Sequence, residues 1–540
     1  MTQPRIEGHG GDLVAETLKA HGVDRLFTLS GGHIFPIYDG MHRRGMRIVD
    51  TRHEQAAAFA AEAHGKLART AGVCALTAGP GVTNGMSAIT SAHFNGSPML
   101  VLGGRAPEIR WGQGSLQEMD HLPLVRTVTK MAETVFDTEK IADRVDHAMF
   151  VANAAHRGPA FLDFPMDSLF SRAEIEMPPP RVMMAALALT GDFDKAVRAL
   201  EDSERPVVML GSDVWANGGE VGARAFAEGQ RLPIFMNGMG RGVLPADHGL
   251  AFSAARGHAF AKADLVIVAG TPLDFRLGFG VFGSAGVIHI ADHRSALSTN
   301  GDLITALSSN MFRYPFEQLA GANKKDRELW IAELRSAESE KRAGFTEELR
   351  DDRAPLHPAR VYGELVPRLK RDAIVICDGG DFASYAGRFI DVYEPGGWLD
   401  PGPYGCLGTA PGYALAAGLL HPDRQIAVLL GDGAAGFGMG DWDTLVRFSI
   451  NVTMVCGNNG IWGLEKHPMR FLYGYDVAAE LTPETRYEEV MRALGGHGEL
   501  VRTPDELGPA LERSFQTPGP SLVNVLTDPD VAYPRSSNLA

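Results

Sequence analysis

Short runs of β-branched and apolar residues recur along the chain, and each leads into an Ala-rich stretch whose apolar positions return with helical spacing. RLFTL precedes IFPIYDGM, GVCALTAG precedes VTNGMSAITSAHF, and PMLVLGG follows in turn. Such alternation predicts βα units assembled on parallel sheets. A first block runs over residues 1–172 and closes on GPAFLDFPMD. The prolines of EMPPPRVMMAALALTGD interrupt helix and strand alike, which marks a linker. The second block, 190–325, carries apolar runs at PVVMLG, PIFMNG, ADLVIVAG and GVIHIAD. The charged stretch KKDRELWIAELRSAESEKRAGFTEELRDDR that follows predicts a solvated connecting helix. The third block, 355–530, opens on PLHPARVYGELVPRL and carries strands at AIVICDGG, QIAVLLGDG, VTMVCGNN and SLVNVLTD. The opening residues, MTQPRIEGHGGDLVAETLKAHGV, predict a helix, and 531–540 form a polar tail. The predicted fold class is α/β, with three doubly wound parallel-sheet domains.

Composition narrows the function. With 540 residues, 45% hydrophobic and 22% charged, the chain is an ordinary globular, multidomain one rather than a disordered or fibrous one. A formal net charge of −15 without a basic block excludes nucleic acid and anionic membrane as expected partners. A polyanionic ligand would have to be held by helix N-termini, a few Arg or Lys, or a metal. Cys74, Cys377, Cys406 and Cys456 are scattered and show no metal-ligand spacing, so a reducing, cytoplasmic setting is expected. The longest apolar runs fall well short of the ~18 residues that a membrane helix needs.

The most informative stretch is GDGAAGFGMGDWDTLVRFSINVTMVCGNN, from Gly431 to Asn459. QIAVLL reads as a buried parallel strand, so Gly431-Asp432-Gly433 falls at its C-terminal end, where open α/β sheets bind ligands. Glycine lets the backbone approach a phosphate, and the helix that follows offers N–H groups and the positive end of its dipole. The next strand, VTMVC, ends at Asn458-Asn459. Adjacent strand ends would bring Asp432 and Asn459 to one mouth. One carboxylate, one amide oxygen and room for two phosphate oxygens make a hard-oxygen set suited to Mg²⁺. Alone, GDG is equally a turn and NN equally a strand end; the pair on consecutive strands carries the chemistry.

GDG followed on the next strand by NN is similar to the diphosphate–magnesium motif of thiamine-diphosphate enzymes. Essentially the whole chain resembles the branch that holds acetolactate synthases, oxalyl-CoA decarboxylases and 2-hydroxyacyl-CoA lyases. The resemblance implies a pyrimidine-binding first domain, a central nucleotide-binding-like domain and a diphosphate-binding third domain. It also implies an active site between two subunits, hence a dimer or, as the fuller expectation, a homotetramer. By the same resemblance, Asp432 and Asn459 would ligate Mg²⁺ by side chain and Ile461 by its carbonyl. Gly431, Gly433, Ala434, Trp462 and the Asp381-Phe382 loop would lie by the diphosphate. Glu54 follows strand MRIV in Asp50-Thr51-Arg52-His53-Glu54-Gln55 and opens an Ala-rich helix. On its own Glu54 complements a helix dipole; the resemblance makes it the acid that hydrogen-bonds N1′ of the aminopyrimidine and so assists loss of the C2 proton. Pro80 and Asn84 in TAGPGVTNG would line the pyrimidine site. In PYGCLGTAPGYALAAG, Leu407 matches the apolar wedge that bends the coenzyme into a V. Gly405 would offer its carbonyl to the 4′-amino group.

Gly31-Gly32 and Leu116-Gln117-Glu118 resemble the acetolactate synthases, which carry Phe-Gln-Glu at the latter place. After the NN pair those enzymes have a Met and then a Trp that shape the pocket for a second 2-keto acid, where this chain has Leu464 and Pro468. RFIDVYEPGGWLDPGPYGCLGTAPGYALAA looks more like the acyl-CoA branch. There a tail such as AYPRSSNLA folds over the active-site mouth, though a frayed terminus reads the same way. Leu116 stands where oxalyl-CoA decarboxylase has a Tyr and suits an apolar acyl group better than oxalate. The leading expectation is therefore a 2-hydroxyacyl-CoA lyase that yields formyl-CoA and an aldehyde or ketone, the thiazolium acting as electron sink. Acetolactate synthase is the alternative; an oxalyl-CoA decarboxylase-like enzyme or a non-catalytic relative is the second. His33, Gln117, Glu465 and His467 are candidate acid/base or substrate-positioning groups, each with a structural role as its other reading. Leu116, Arg388 and Arg535 are candidates for contact with an acyl-CoA. In the central block, Arg276 of TPLDFRLGF and Asp292 of VIHIADHR end strands at places similar to those where relatives hold ADP or FAD. ADP fits the acyl-CoA branch and FAD the synthase branch; Arg would pair a diphosphate and Asp a ribose hydroxyl.

Overall fold

The computed structural model describes residues 5–182 and 189–534. They form two compact units. The first holds the chain to about residue 185 with Pro401–Pro422 and Phe437–Ile450; the second holds the chain from there to Asp400, Asp423–Gly436 and the residues from Asn451 on.

The first unit is built on a six-stranded sheet, parallel throughout. Its spatial order is Arg47–Asp50, Arg25–Thr28, Gly72–Leu76, Met99–Arg105, Pro159–Pro165 and Met131–Thr134. The inner strands are buried along their whole length because helices cover both faces, which is why they read as unbroken apolar runs. Leu13, Val14 and Leu18 from one helix and Val145, Ala148 and Met149 from another fill one side. The second strand in chain order is laid on one side of the first and the third on the other. Chain direction therefore reverses between Arg25–Thr28 and Gly72–Leu76, and such a reversal opens a crevice beyond the C-terminal strand ends.

The second unit repeats this order. Its last sheet runs Trp398–Leu399, Ile374–Asp378, Ile426–Gly431, Val452–Asn458, Pro520–Leu526 and His497–Val501, again all parallel. The reversal now lies between Ile374–Asp378 and Ile426–Gly431. The central sheet has five parallel strands in the same sense, with the short Leu189–Thr190 added antiparallel at one edge. Three doubly wound sheets are thus present. No helix among the described residues is long and apolar enough to cross a membrane.

The structure departs from the sequence expectations in three places. The opening residues are not one helix: Arg5–His9 is a strand paired antiparallel with Arg172–Glu176, and the helix begins at Gly10. His9 ends the strand and caps the helix, its ring accepting from the Asp12 N–H while the Asp12 carboxylate accepts from the His9 N–H. That pairing also carries the first block's structure past residue 172. The charged helix Glu328–Ala343 is solvated on one face only. Trp330, Ile331 and Leu334 enter the central core, and the Trp330 indole N–H donates to the Pro206 carbonyl at 3.1 Å. Third, the strands Met131–Thr134, Leu303–Ser309 and His497–Val501 were not anticipated, because each mixes half-exposed and polar positions into its apolar pattern. Part of the proline-rich linker, 183–188, lies outside the described residues.

Within the first unit the helix Glu54–Ala68 packs against Ala410–Leu420 through small side chains. A Cβ placed on Gly412 would lie 2.7 Å from both the Ala56 carbonyl oxygen and the Phe59 Cβ. This close approach fixes the helix that Glu54 begins. Gly412→Ala is expected to cost about 1–3 kcal/mol through overpacking, read as a lower midpoint in thermal or urea denaturation; an unchanged midpoint would contradict the packing described.

Candidate functional site

Three neighbouring strand ends of the second unit bring together the side-chain oxygens of Asp381, Asp432 and Asn459. Asp381 follows Ile374–Asp378, Asp432 follows Ile426–Gly431, and Asn459 follows Val452–Asn458, so Asp381 and Asp432 flank the reversal of chain direction. Hydrogen bonds tie them together. The Gly460 N–H donates to Asp432 Oδ2 at 2.7 Å and the Gly433 N–H to Oδ1 at 3.0 Å. Asn459 Nδ2 donates to Asp381 Oδ2 at 3.2 Å, while its Oδ1 accepts from the Ile461 N–H at 3.2 Å. Asn458 points elsewhere, donating to the Thr485 carbonyl and to Asn524 Oδ1, so only the second Asn of the pair faces the cluster.

The 460–462 loop is pinned from outside. Trp462 N–H donates to the Ala479 carbonyl and Leu481 N–H to the Gly460 carbonyl, each at 2.8 Å. Both bonds use the neighbours of Ile461, which leaves the Ile461 carbonyl out of that pairing. The Trp462 ring lies over Gly433, where a Cβ would meet Cζ3 at 2.4 Å; the Phe382 ring lies as closely over Gly457. Glycine at 433 is thus required by contact with an indole. Around Gly431 and Gly436 a Cβ would meet nothing within 4 Å, so the backbone there is open.

Burial raises Asp432 to about 7 and raises Asp381 as well, and Asp381 pushes Asp432 further in the same direction. Two carboxylates sharing a buried mouth, with Asp432 satisfied by backbone donors, suit a divalent cation that would hold both ionised. Asp432, the Asn459 amide oxygen and the Ile461 carbonyl could hold it. His467, named from sequence, faces Asp381 electrostatically, whereas Glu465 is exposed.

The first unit contains a second constellation. Glu54 is buried and its Oε2 accepts from Asn84 Nδ2 at 3.0 Å. Its loop is held firmly: Asp441 accepts from the Arg52 N–H at 2.7 Å, and Arg447 donates to the Asp50 side chain at 2.8 Å and to its carbonyl at 3.0 Å. Gln55 Nε2 lies 3.4 Å from the Leu407 carbonyl oxygen. Leu407 is half-buried and Gly405 takes a φ of 72°, a conformation that glycine adopts freely. At the reversal point of the sheet, His33 Nδ1 is 3.2 Å from Thr77 Oγ1, and burial lowers the His33 pKa. Gln117 has a left-handed backbone, φ 60°, and backs onto Gly79. Pro80, Asn84 and Leu116 are exposed in the single chain.

The other expected residues fall outside these constellations. Arg388 is half-buried, paired with Glu348 at 2.6 Å and stacked 4.2 Å over Phe345. Arg276 is held by Asp274 through three contacts of 2.7–3.1 Å, and Asp292 accepts from Asn217 at 3.2 Å. Arg535 lies outside the described residues. Sequence reasoning missed Asp441, His121 and Asp163, whose partners are remote in the chain.

Three family profiles cover the chain. A thiamine pyrophosphate enzyme N-terminal TPP binding domain matches residues 8–124, the central domain 193–308 and the C-terminal TPP binding domain 378–525. A probable acetolactate synthase of Mycobacterium bovis is 54% identical, over 100% of this chain and 99% of that protein. An acetolactate synthase large subunit of Mycobacterium tuberculosis shows the same figures, 54%, 100% and 99%. Human 2-hydroxyacyl-CoA lyase 2 is 32% identical over 92% of this chain and 86% of its own length.

The cation site has a direct test. With Mn²⁺ as a paramagnetic substitute, Asp432→Asn is expected to weaken binding at least tenfold by electron paramagnetic resonance. Unaltered Mn²⁺ affinity would remove Asp432 from the ligand set.

Proposed function

The chain belongs to the thiamine pyrophosphate enzymes, and on that premise we propose that it makes or breaks a carbon–carbon bond beside a carbonyl, with acetolactate synthesis from two 2-keto acids as the favoured reaction. The observation that carries this choice is the 54% identity, end to end, to proteins named acetolactate synthase. It reverses the order expected from the sequence, which put the lyase first.

Bound at this site, thiamine diphosphate supplies an acidic carbon and an electron sink. The chain's own residues do the rest. Asp432, Asn459 and the Ile461 carbonyl would hold Mg²⁺, and Gly431, Gly433 and Ala434 would let backbone N–H groups reach the diphosphate, with Trp462 closing over Gly433. Asp381 would orient the Asn459 amide, and Phe382 would support that strand end. Glu54, fixed by Asn84, would hold a proton at N1′ of the pyrimidine; Pro80 would border the ring, Leu407 would wedge it and the Gly405 carbonyl would take its amino group. His33 and Gln117 would position substrate, and Glu465 would act from the loop margin. Phe35, Ile109, Leu116 and Phe136 are large exposed apolar side chains on the first unit that a second copy of the chain would cover, and a homotetramer is the assembly proposed. The free cysteines fit a cytoplasmic setting.

Specific observations favour 2-hydroxyacyl-CoA cleavage as a second reading. By the resemblance, Leu464 and Pro468 stand where the synthases carry a Met and a Trp, and Pro468 sits inside the helix Gly463–Tyr473. In the second unit a cavity of about 500 Å³ is bordered by His258, Glu340, Lys341, Phe345 and Arg388, where Lys341 and Arg388 would be the cations to meet the phosphates of an acyl-CoA; Arg535 is kept as a candidate from sequence alone. For ADP in the central domain, the support is Asp292 at the end of Gly286–Ala291; Arg276 lies in the turn Phe275–Gly280 beyond Leu265–Ala269, and each already has a protein partner.

Products decide between the two. Supplied with thiamine diphosphate, Mg²⁺ and pyruvate, the protein is expected to form acetolactate, and 2-hydroxyacyl-CoAs to yield no formyl-CoA by mass spectrometry; formyl-CoA without acetolactate would overturn the synthase reading. Glu54→Gln is expected to keep coenzyme affinity and to lose activity by roughly 10²–10⁴-fold, and undiminished turnover would take Glu54 out of the chemistry.

A further inference from the structure

Toward the C-terminal ends of the strands of the first unit's sheet lies a fully buried pair that none of the roles above uses. His121 and Asp163 are both 0% exposed, and His121 Nδ1 is 2.8 Å from Asp163 Oδ2. The other ring nitrogen, Nε2, is 3.0 Å from the backbone nitrogen of Gly79. A backbone N–H can only donate, so Nε2 must be the acceptor. The ring proton then sits on Nδ1 and is given to the Asp163 carboxylate, which fixes one tautomer of a neutral imidazole. Arg105 closes the chain of contacts, 3.5 Å from Asp163 Oδ2 and 3.2 Å from Asp120, with its guanidinium 3.8 Å over the Trp111 ring.

Gly79 is an unusual place to anchor. Its φ of 57° and ψ of −112° lie where side-chain-bearing residues are strained, and a Cβ there would come within 3.1 Å of Gln117. Gly79 also opens the helical turn Pro80–Asn84, whose last residue donates to Glu54. One bond from His121 therefore sets the turn that carries Asn84 toward Glu54 and the surface against which Gln117 rests. The arrangement is costly for mere stability. Asp163 is a buried carboxylate whose Oδ1 has no hydrogen-bond partner, at the end of an otherwise apolar strand, where a well-packed apolar group would serve folding at least as well.

We propose that His121, oriented by Asp163, is a positioning residue that holds the Gly79 turn so that Asn84 and Gln117 keep their places beside the coenzyme's pyrimidine. The proposal rests on the thiamine-diphosphate reading and deepens it. The test compares wild type, His121→Phe, His121→Gln and His121→Asn as holoenzymes with Mg²⁺. Phe keeps the ring but removes the acceptor. The Gln side-chain oxygen reaches the position of Nε2, and the shorter Asn does not. Three quantities are read below the unfolding midpoint of every variant: coenzyme affinity by calorimetry, the rate at which the bound coenzyme exchanges its C2 proton for deuterium by quenched-flow NMR, and kcat against KM.

For His121→Phe the expected result is affinity within threefold of wild type, with C2 exchange and kcat both slowed at least tenfold. His121→Gln is expected to return to within threefold and His121→Asn to stay low. Exchange at the wild-type rate in His121→Phe, or Gln no better than Asn, would overturn the role. Should the Phe variant not fold, the Gln–Asn comparison decides alone. Failure of wild type to bind the coenzyme would overturn the proposed function and this role with it, whereas binding and exchange in wild type with no effect at residue 121 would overturn this role only.

Discussion

Asp432 sits at the end of a fully buried strand, its carboxylate oxygens held by two backbone N–H groups, and the charge that acts on it is that of another carboxylate, Asp381. Burial of this kind disfavours ionisation, and a cation joining the group favours its charged form. The adjacent Asn459 oxygen and the Ile461 carbonyl would complete a set of hard donors for a cation, and the open backbone at Gly431 and Gly436 would leave room for an anion beside it. Much of the surrounding structure serves this mouth. The Trp462 ring requires glycine at 433, the 479–481 segment pins the loop after Asn459, and Asp381 fixes the Asn459 amide through Nδ2.

The first and last sheets share one strand order, and in both the side chains of interest gather where the chain reverses direction. At one reversal stand Asp381 and Asp432. At the other stand His33, Thr77 and the Gly79 turn. The two mouths differ in chemistry: the first gathers carboxylate and amide oxygens suited to a metal, while the second has the buried imidazole of His33 and a Gly79 turn whose backbone only glycine adopts without strain. Glu54 stands with the second group but depends on the packing of its helix against Ala410–Leu420 and on Asp441 and Arg447, which hold the loop before it. Such dependence on distant chain segments is the ordinary way in which the side chain at the start of a helix is kept in one place.

Parallel sheets advertise themselves in sequence because their inner strands are apolar on both faces, so the strands ending at Asp378, Gly431 and Asn458 were legible, as was the adjacency of Asp432 and Asn459 across one βαβ step. Short or half-exposed edge strands carry no such signature, and Met131–Thr134 and His497–Val501 went unseen for that reason. Asp292 does directly follow a strand, Gly286–Ala291, whereas Arg276 lies in the turn Phe275–Gly280, seven residues past the end of Leu265–Ala269, and nothing local in the sequence shows that Asp274 and Asn217 engage them. His121 and Asp163 are the converse case. Neither lies in a recognisable pattern, and their contacts with each other and with Gly79 join segments that only the folded sheet brings together. Sequence and relatives point different ways on the reaction: Leu464 and Pro468 depart from the synthase pattern, whereas 54% identity along the whole chain is to proteins named acetolactate synthase.

The central claim is that a divalent cation at Asp432 and Asn459 anchors thiamine diphosphate. Calorimetric titration of the metal-free protein with thiamine diphosphate, once with Mg²⁺ and once with EDTA, tests it most directly. The account predicts saturable binding with Mg²⁺ and loss of that binding in EDTA. Equal affinity in both, or no binding in either, would contradict it.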